Sequence, residues 1–435
     1  MSRRTALRWL GWSALTLSEF VPTSCAKTAR RPNVALIVAD DLGVGDLGCY
    51  GAQEILTPHL DRLASRGGRF DQFYVDAPAC TPSRAGLMTG RSHLRSLLPD
   101  RGLNGAEHTI AEMLAGAGYE TALFGKWHLG VEPEMQPNAQ GYGEFLGHLV
   151  GAIDNYSYEF QWGEGPAYPA VMHNDQPWSG SGSYWPDVVT QRAQAFMAAH
   201  RERPFFLTVC FNLPHYPLQP GPESIPGDNA SARQRYGAMV ASLDHRVGEL
   251  MSTLHQLNLE NDTIVLFLSD HGHSAELRSG GGGSSGGLRG HKFTLWEGGI
   301  RSPLLISWPG AIPSQQIVNV PTSALDILPT IADLTKIPPA PALDGQSLVA
   351  LLRDRGDFAA RALHWGYKGE WAVRKGDWKL IVGETPFLID LSRDPFEQVN
   401  RASREPKRVE QLQQLHDSWL KRLGRDPVAG QTIGN

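Results

Sequence analysis

Four strand-like runs, at residues 33–39, 119–124, 205–211 and 263–269, punctuate the chain, mostly apolar, and each stops abruptly at polar residues. None alternates between apolar and polar positions, which is how strands buried on both faces of a parallel sheet read. Between them the periodicity changes to that of helices. Residues 236–257 place Met239, Leu243, Val247, Leu250, Leu254 and Leu257 on one stripe, the pattern of an amphipathic helix. Thr57-Pro58 opens a helix that runs to Arg66 and is closed by Gly67-Gly68, and residues 109–114 and 188–200 also read as helical. Short strands are expected at 70–75 and 304–307. Alternating strands and helices imply an α/β fold: a large, mixed, mostly parallel sheet flanked by helices.

The tail has a different rhythm. Short strands at 362–365, 370–374, 378–382 and 387–391 are separated by turns and followed by a helix over 407–423, which describes a smaller antiparallel sheet with one helix. Pro338-Pro339-Ala340-Pro341 marks the boundary, so the expected organisation is a leader at 1–31, a catalytic domain at 32–340 and a C-terminal α+β subdomain at 341–435. Residues 131–187, rich in Gly, Pro, Tyr and Trp, read as irregular loops that carry specificity. Residues 279–287, Ser-Gly-Gly-Gly-Gly-Ser-Ser-Gly-Gly, read either as a tolerated surface insertion or as a lid beside the site.

Composition narrows the function. The chain has 435 residues, enough for one large and one small core, and its net charge of −5 gives nucleic acid no basic surface to bind. At the start, Arg3, Arg4 and Arg8 precede an apolar run at 9–17 that is too short to span a bilayer. This reads as an export signal with a twin-arginine character, implying a periplasmic or secreted protein without a transmembrane span; Cys25 is a candidate for lipid attachment. Of the other cysteines, Cys80 belongs to the candidate site, and a Cys49–Cys210 disulfide is compatible with an oxidising compartment.

The strand ends carry the chemistry. The four apolar runs lead into Asp40/Asp41, Lys126/His128, His215 and Asp270/His271. Ligands of open α/β sheets bind beyond the carboxyl ends of the strands, so these residues are expected to converge. Asp40 and Asp41 would repel each other unless they hold a cation. Cys80 precedes Pro82, which suits the first position of a helix. That places the thiol just ahead of a helix N-terminus, where anions are favoured and a thiol pKa falls.

Cys80-x-Pro82-x-Arg84, continued by Ala-Gly-Leu-Met-Thr-Gly-Arg through position 91, resembles the signature of the type I sulfatases of the alkaline-phosphatase-like superfamily. The likeness extends through Asp40-Asp41-Leu42-Gly43, Gly125-Lys126-Trp127-His128, Pro214-His215, Ser269-Asp270 and the stretch from Lys292 to Arg301. It implies that a maturation enzyme oxidises Cys80 to formylglycine, whose hydrate attacks sulfur with one hydroxyl and expels sulfate with the other. It further implies one calcium ion, or magnesium or another divalent ion, held by Asp40, Asp41, Asp270, His271 and the modified Cys80. His271 stands where many members carry asparagine. By the same resemblance, Arg84 and Lys126 neutralise charge around the modified residue and His128 orients its hydroxyl. His215 and Lys292 hold the sulfate, and one of them protonates the leaving oxygen. Thr294 and Glu297 read as structural.

The resulting expectation is a sulfuric ester hydrolase acting on sulfated carbohydrates, with Tyr156, Tyr158, Trp162 and Trp178 as candidate sugar-facing aromatics. Two alternatives use the same residues: a phosphate or phosphonate ester hydrolase, and a catalytically silent protein that binds sulfated glycans.

Overall fold

The strand read first in the sequence lies at the middle of the main sheet. A computed structural model describes residues 30–99, 101–160, 168–180, 182–276, 281–353 and 358–425. The export signal, the lipid-attachment candidate Cys25 and Trp162 fall outside the described residues. The main strands are β1 (Asn33–Ala39), β2 (Gly68–Phe70), β3 (Glu120–Lys126), β4 (Glu144–His148), β5 (Val171–His173), β6 (Gln176–Pro177), β7 (Phe205–Cys210), β8 (Thr263–Ser269), β9 (Leu304–Ser307) and β10 (Gln316–Val318). They form one ten-stranded sheet in the order β6-β5-β4-β3-β7-β1-β8-β9-β2-β10. The centre, β4-β3-β7-β1-β8, is parallel throughout. β9 runs antiparallel to both β8 and β2, and β5 antiparallel to β4.

Period-two burial explains the mostly apolar runs. Val34, Leu36 and Val38 face one core, and Ala35, Ile37 and Ala39 face the other. Both faces are therefore covered, as a parallel centre requires. Helices α1 (Pro58–Ser65), α3 (Trp185–Ala199) and α4 (Ala232–Gln256) cover the second face. Helix α2 (Cys80–Thr89) and α5 (Ile327–Thr335) cover the first. Helix α4 begins with a full capping box, Ser231 accepting from the Gln234 N–H while Gln234 accepts from the Ser231 N–H, which satisfies two otherwise unpaired donors.

Strands β11 (Leu363–Tyr367), β12 (Glu370–Lys375), β13 (Trp378–Val382) and β14 (Pro386–Asp390) form a four-stranded antiparallel sheet, followed by helix α6 (Pro406–Arg422). Residues from Arg31 onward cluster as one compact unit. A buried ion triad ties the two sheets together: Lys379 Nζ lies 2.9 Å from Glu297 Oε1 and 2.8 Å from Glu397 Oε1.

Three expectations change. Residues 131–187 are not all loop, since β4, β5 and β6 lie within them; they are two to five residues long, too short to show a strand period. The Cys49–Cys210 bond is not formed, and both are free thiols. Cys210 packs into the core on one face of the sheet and Cys49 against the core on the other. The described part of the glycine-rich segment is docked rather than loose. The Gly45 N–H donates to Ser284 O at 3.0 Å, and the Ser284 N–H to Asp46 at 2.8 Å.

Candidate active site

Register aligns the strand ends. Ala39 lies opposite Ser269, Val38 opposite Cys210, and Cys210 opposite Gly125. The residues that follow therefore emerge at one level. Gly125 is required for this approach: its φ is 106°, and a Cβ there would lie 1.9 Å from Cys210 O. Asp41 adopts a left-handed backbone, φ 63°, which is uncommon for a residue with a side chain. Its N–H donates to Asp270 Oδ1 at 3.3 Å, joining the ends of β1 and β8.

Helix α2 brings the thiol to these ends. Cys80 is the first residue of the helix, with Ala79 as its N-cap, so the helix starts two residues earlier than Pro82 alone suggested. Proline is tolerated at the third position because the first helical bond needed comes later, from Ser83 N–H to Ala79 O at 3.0 Å. The Cys80 Sγ lies 3.2 Å from His271 Nε2 and 3.7 Å from Asp40 Oδ1.

Around it is a cage of paired charges. Lys126 Nζ donates to Asp40 Oδ2 at 2.7 Å. Arg84 Nε donates to Asp270 Oδ2 at 3.0 Å, and its Nη2 lies 3.7 Å from Asp40. Lys292 Nζ donates to both oxygens of Asp41, at 2.9 and 3.0 Å, and lies 3.3 Å from His215 Nε2. His271 Nε2 sits 3.4 Å from Asp41 and 3.6 Å from Asp270. Every one of these side chains is buried. The structure thus brings together all of Asp40, Asp41, Cys80, Arg84, Lys126, His215, Asp270, His271 and Lys292. His128 stands at the edge of the group; Thr81 Oγ1 donates to its carbonyl, and its Nδ1 has no partner among the described residues.

Burial and charge compete at each group. Burial disfavours the Asp40 carboxylate, but Lys126, His215 and Arg84 overcome it and hold the carboxyl well below the usual range. Asp41 behaves likewise, with Lys292 the main opposing charge. Asp270 is instead pushed up to about 6 by burial and by Asp40, against His271 and Arg84. For Cys80, burial raises the thiol, but Lys126 and Lys292 prevail and bring it to about 5. His271 goes the other way: burial lowers it, while Asp270 and Cys80 carry it to about 9.

The donor set fits a divalent cation. Donor atoms of Asp40, Cys80, Asp270 and His271 lie within 4.8 Å of one another, as do those of Asp40, Asp41, Cys80 and His215. Three convergent carboxylates suit a hard ion that takes oxygen ligands. One of them, Asp270, is the least compensated by the protein's own cations.

A cavity of about 620 Å³ opens onto this cage, lined in part by Cys80, His128, His215 and Lys292. Asp40, Asp41, Arg84, Lys126, Asp270 and His271 lie behind it. Of the candidate sugar-facing aromatics, Tyr156, Tyr158 and Trp178 do not line it. Tyr158 is 3 % exposed and stacks on Trp178 and Trp185, and its hydroxyl donates to Ser183 O. Phe160, Phe293 and Tyr367 line the cavity in their place, with His93, Arg101 and Lys368. His93 Nδ1 lies 2.7 Å from Asp76 and its Nε2 3.0 Å from Gly366 O. These residues escaped the sequence reading because none ends an apolar strand. Glu297 is structural as expected, within the triad on Lys379.

A helix-borne thiol facing a carboxylate cage at the carboxyl ends of a parallel sheet defines an α/β enzyme built for a small anionic group. The family model described as Sulfatase matches residues 32–337, and that for the N-sulphoglucosamine sulphohydrolase C-terminal region matches 290–424. Human arylsulfatase A is 37 % identical over 89 % of this chain and 87 % of its own. An N-acetylgalactosamine-6-O-sulfatase of Bacteroides thetaiotaomicron is 32 % identical over 90 % of this chain and 94 % of its own. Among solved structures, Ps i-CgsB in complex with k-i-k-neocarrahexaose superposes with a TM-score of 0.81 at 30 % identity, covering 90 % of this chain and 93 % of that one. The chain belongs to the sulfatase family, and it is a sulfatase, a hydrolase of sulfate esters.

Proposed function

We propose that this sulfatase acts on sulfated carbohydrates, with formylglycine made from Cys80 as nucleophile and one calcium ion held by Asp40, Asp41, Asp270 and His271. The observation that carries it is the position of Cys80, on the first turn of α2 between the cage and the cavity. The hydrated aldehyde supplies both a nucleophile and an internal exit for the sulfate; the ion supplies charge to polarise the sulfate oxygens.

The chain's own residues do the rest. Lys126 and Arg84 offset the charge around position 80, and His128, neutral because burial and then Lys126 hold it well below its usual range, presents an acceptor to the modified residue. Lys292 and His215, adjacent on the cavity wall, bind the sulfate, and one of them gives a proton to the departing oxygen. The carbohydrate assignment is supported by the sugar-directed names of the relatives above. The leader at 1–31 fits export, with maturation by a formylglycine-generating or equivalent enzyme, and the C-terminal subdomain at 341–435 completes the cavity wall.

Two measurements test this reading. Mass analysis of the Cys80 peptide from the natural host should show aldehyde in place of thiol; an unmodified thiol overturns the formylglycine assignment. A panel of defined sulfated mono- and oligosaccharides should contain at least one from which sulfate is released. Release only from aryl esters overturns the carbohydrate assignment.

A further inference from the structure

One wall of the cavity has features that sulfate hydrolysis does not need. Phe293 follows Lys292 directly, is 37 % exposed and holds φ 72°. An exposed aromatic in a left-handed backbone is doubly unfavourable, and such outliers cluster at binding sites. The bond from its N–H to Pro78 O, 2.7 Å, keeps it there. Its ring lies parallel to that of Tyr367, with centroids 6.2 Å apart and planes 10° apart. Two parallel rings at the cavity wall offer aromatic surface of the kind against which a sugar ring packs.

Beside this platform stands Lys368. It occupies, with Gly369, the two-residue turn between β11 and β12, where Tyr367 pairs with Glu370. Both turn residues have positive φ, 46° and 82°, the tight hairpin geometry that matches strand twist. The hairpin is anchored at Gly366 O by His93 and at Val75 O by the Trp365 indole N–H, 2.8 Å. Lys368 Nζ lies 5.7 Å from the Phe293 centroid and 5.8 Å from that of Tyr367. Arg101, on the same cavity, is paired with Glu134 at 3.2 Å. Lys368 has no carboxylate within ion-pair distance among the described residues, and no carboxylate is among the described residues lining the cavity. A cation is thus held over an aromatic platform, next to the sulfate site, with no carboxylate among the described lining residues.

We infer that Lys368, with the Phe293–Tyr367 platform, selects a sugar carrying a second anionic group besides the sulfate removed. This rests on the carbohydrate reading above and specifies the substrate within it. A neutral or monosulfated sugar leaves Lys368 unmatched; a second sulfate or a carboxylate gives this exposed lysine a partner at the cavity rim.

The test uses equilibrium binding in the full chain carrying Cys80→Ala, which separates recognition from turnover. Titration calorimetry compares a monosulfated sugar with its disulfated and its sulfated, carboxylated counterparts, with and without Lys368→Gln. The expected result is tighter binding of a dianionic sugar. Lys368→Gln should reduce that preference by roughly fivefold, the scale of an exposed charge pair, and Lys368→Arg should restore it. Phe293→Ala should weaken all sugars by roughly tenfold. Whichever counterpart shows the preference identifies the second group. A preference that survives Lys368→Gln, or no preference at all, overturns the inference. If dianionic sugars are preferred but the mature enzyme with native Cys80 releases no sulfate from them, the hydrolytic reading fails and the recognition stands.

Discussion

The strand-end cage and the C-terminal sheet both bury ionisable side chains, but by opposite means. In the cage, Asp40, Asp41 and Asp270 meet Lys126, Lys292 and Arg84, and the groups stay charged because opposite charges stand within 2.7–3.0 Å. In the C-terminal region, His416 stacks on Trp371 at 4.2 Å and His364 on Trp419 at 4.7 Å, with no ion pair to a carboxylate among the described residues. Burial holds these imidazoles neutral, His364 down at about 3 and His416 at about 4. Burying a charge requires a partner; burying a neutral ring requires only a surface. The cage therefore serves chemistry, and the stack serves cohesion.

The comparison is easiest to break at the cage. Cys80→Ala should lower sulfate release by about 10⁴-fold or more, as removal of a nucleophile does; residual release near the native rate would sink the assigned mechanism. Next, Lys126→Met leaves Asp40 short of its nearest cation at full burial. Denaturant unfolding should show a loss of about 3–5 kcal/mol, the cost of splitting a buried pair. A change within about 0.5 kcal/mol would mean the pair behaves like an exposed one. Chelation followed by calcium titration should raise the unfolding free energy by about 2.7 kcal/mol at a hundredfold excess over the dissociation constant. Asp270→Asn should blunt that response, and an equal response in the variant contradicts the ligand assignment.

Mild acid supplies a smaller effect per imidazole and addresses the other region. The folded values of His364 and His416 lie below the ordinary value of 6.5, so the unfolded chain takes up protons first. Their contribution is complete above about pH 6.5 and is lost as pH falls toward 4, by at most about 1.4 kcal/mol per pH unit per imidazole. Urea unfolding at pH 7, 5.5 and 4.5 should show a shallower decline in His416→Phe than in the native chain. Parallel declines would mean that the stack does not depend on a neutral ring.

Much of this was legible before any coordinates. Apolar runs identified four of the five central strands, with 263–269 matching its strand residue for residue. The polar residues after them proved to converge, because parallel strands in register must end at one level. The tail strand 378–382 was equally plain. The start of α2 was not, since proline marks the first turn of a helix without marking its first residue. Strands β4–β6 were hidden by brevity. Tyr158 and Trp178 fitted either a sugar-facing surface or the core by sequence, and packing decided: Tyr158 is core and Trp178 packs half-buried against it.

The sequence by itself determined the α/β class and which polar residues and thiol would meet at the strand ends, because both rest on local pattern and on the rule that ligands meet parallel strands at their carboxyl ends. Only the tertiary structure decided which cations compensate which carboxylates, since residues 41 and 292 share no local pattern. It alone set Phe293 against Tyr367 and Lys368, through a hairpin anchored by His93 and Trp365. Side chains that meet across long loops are chosen by packing, and packing is a property of the folded whole.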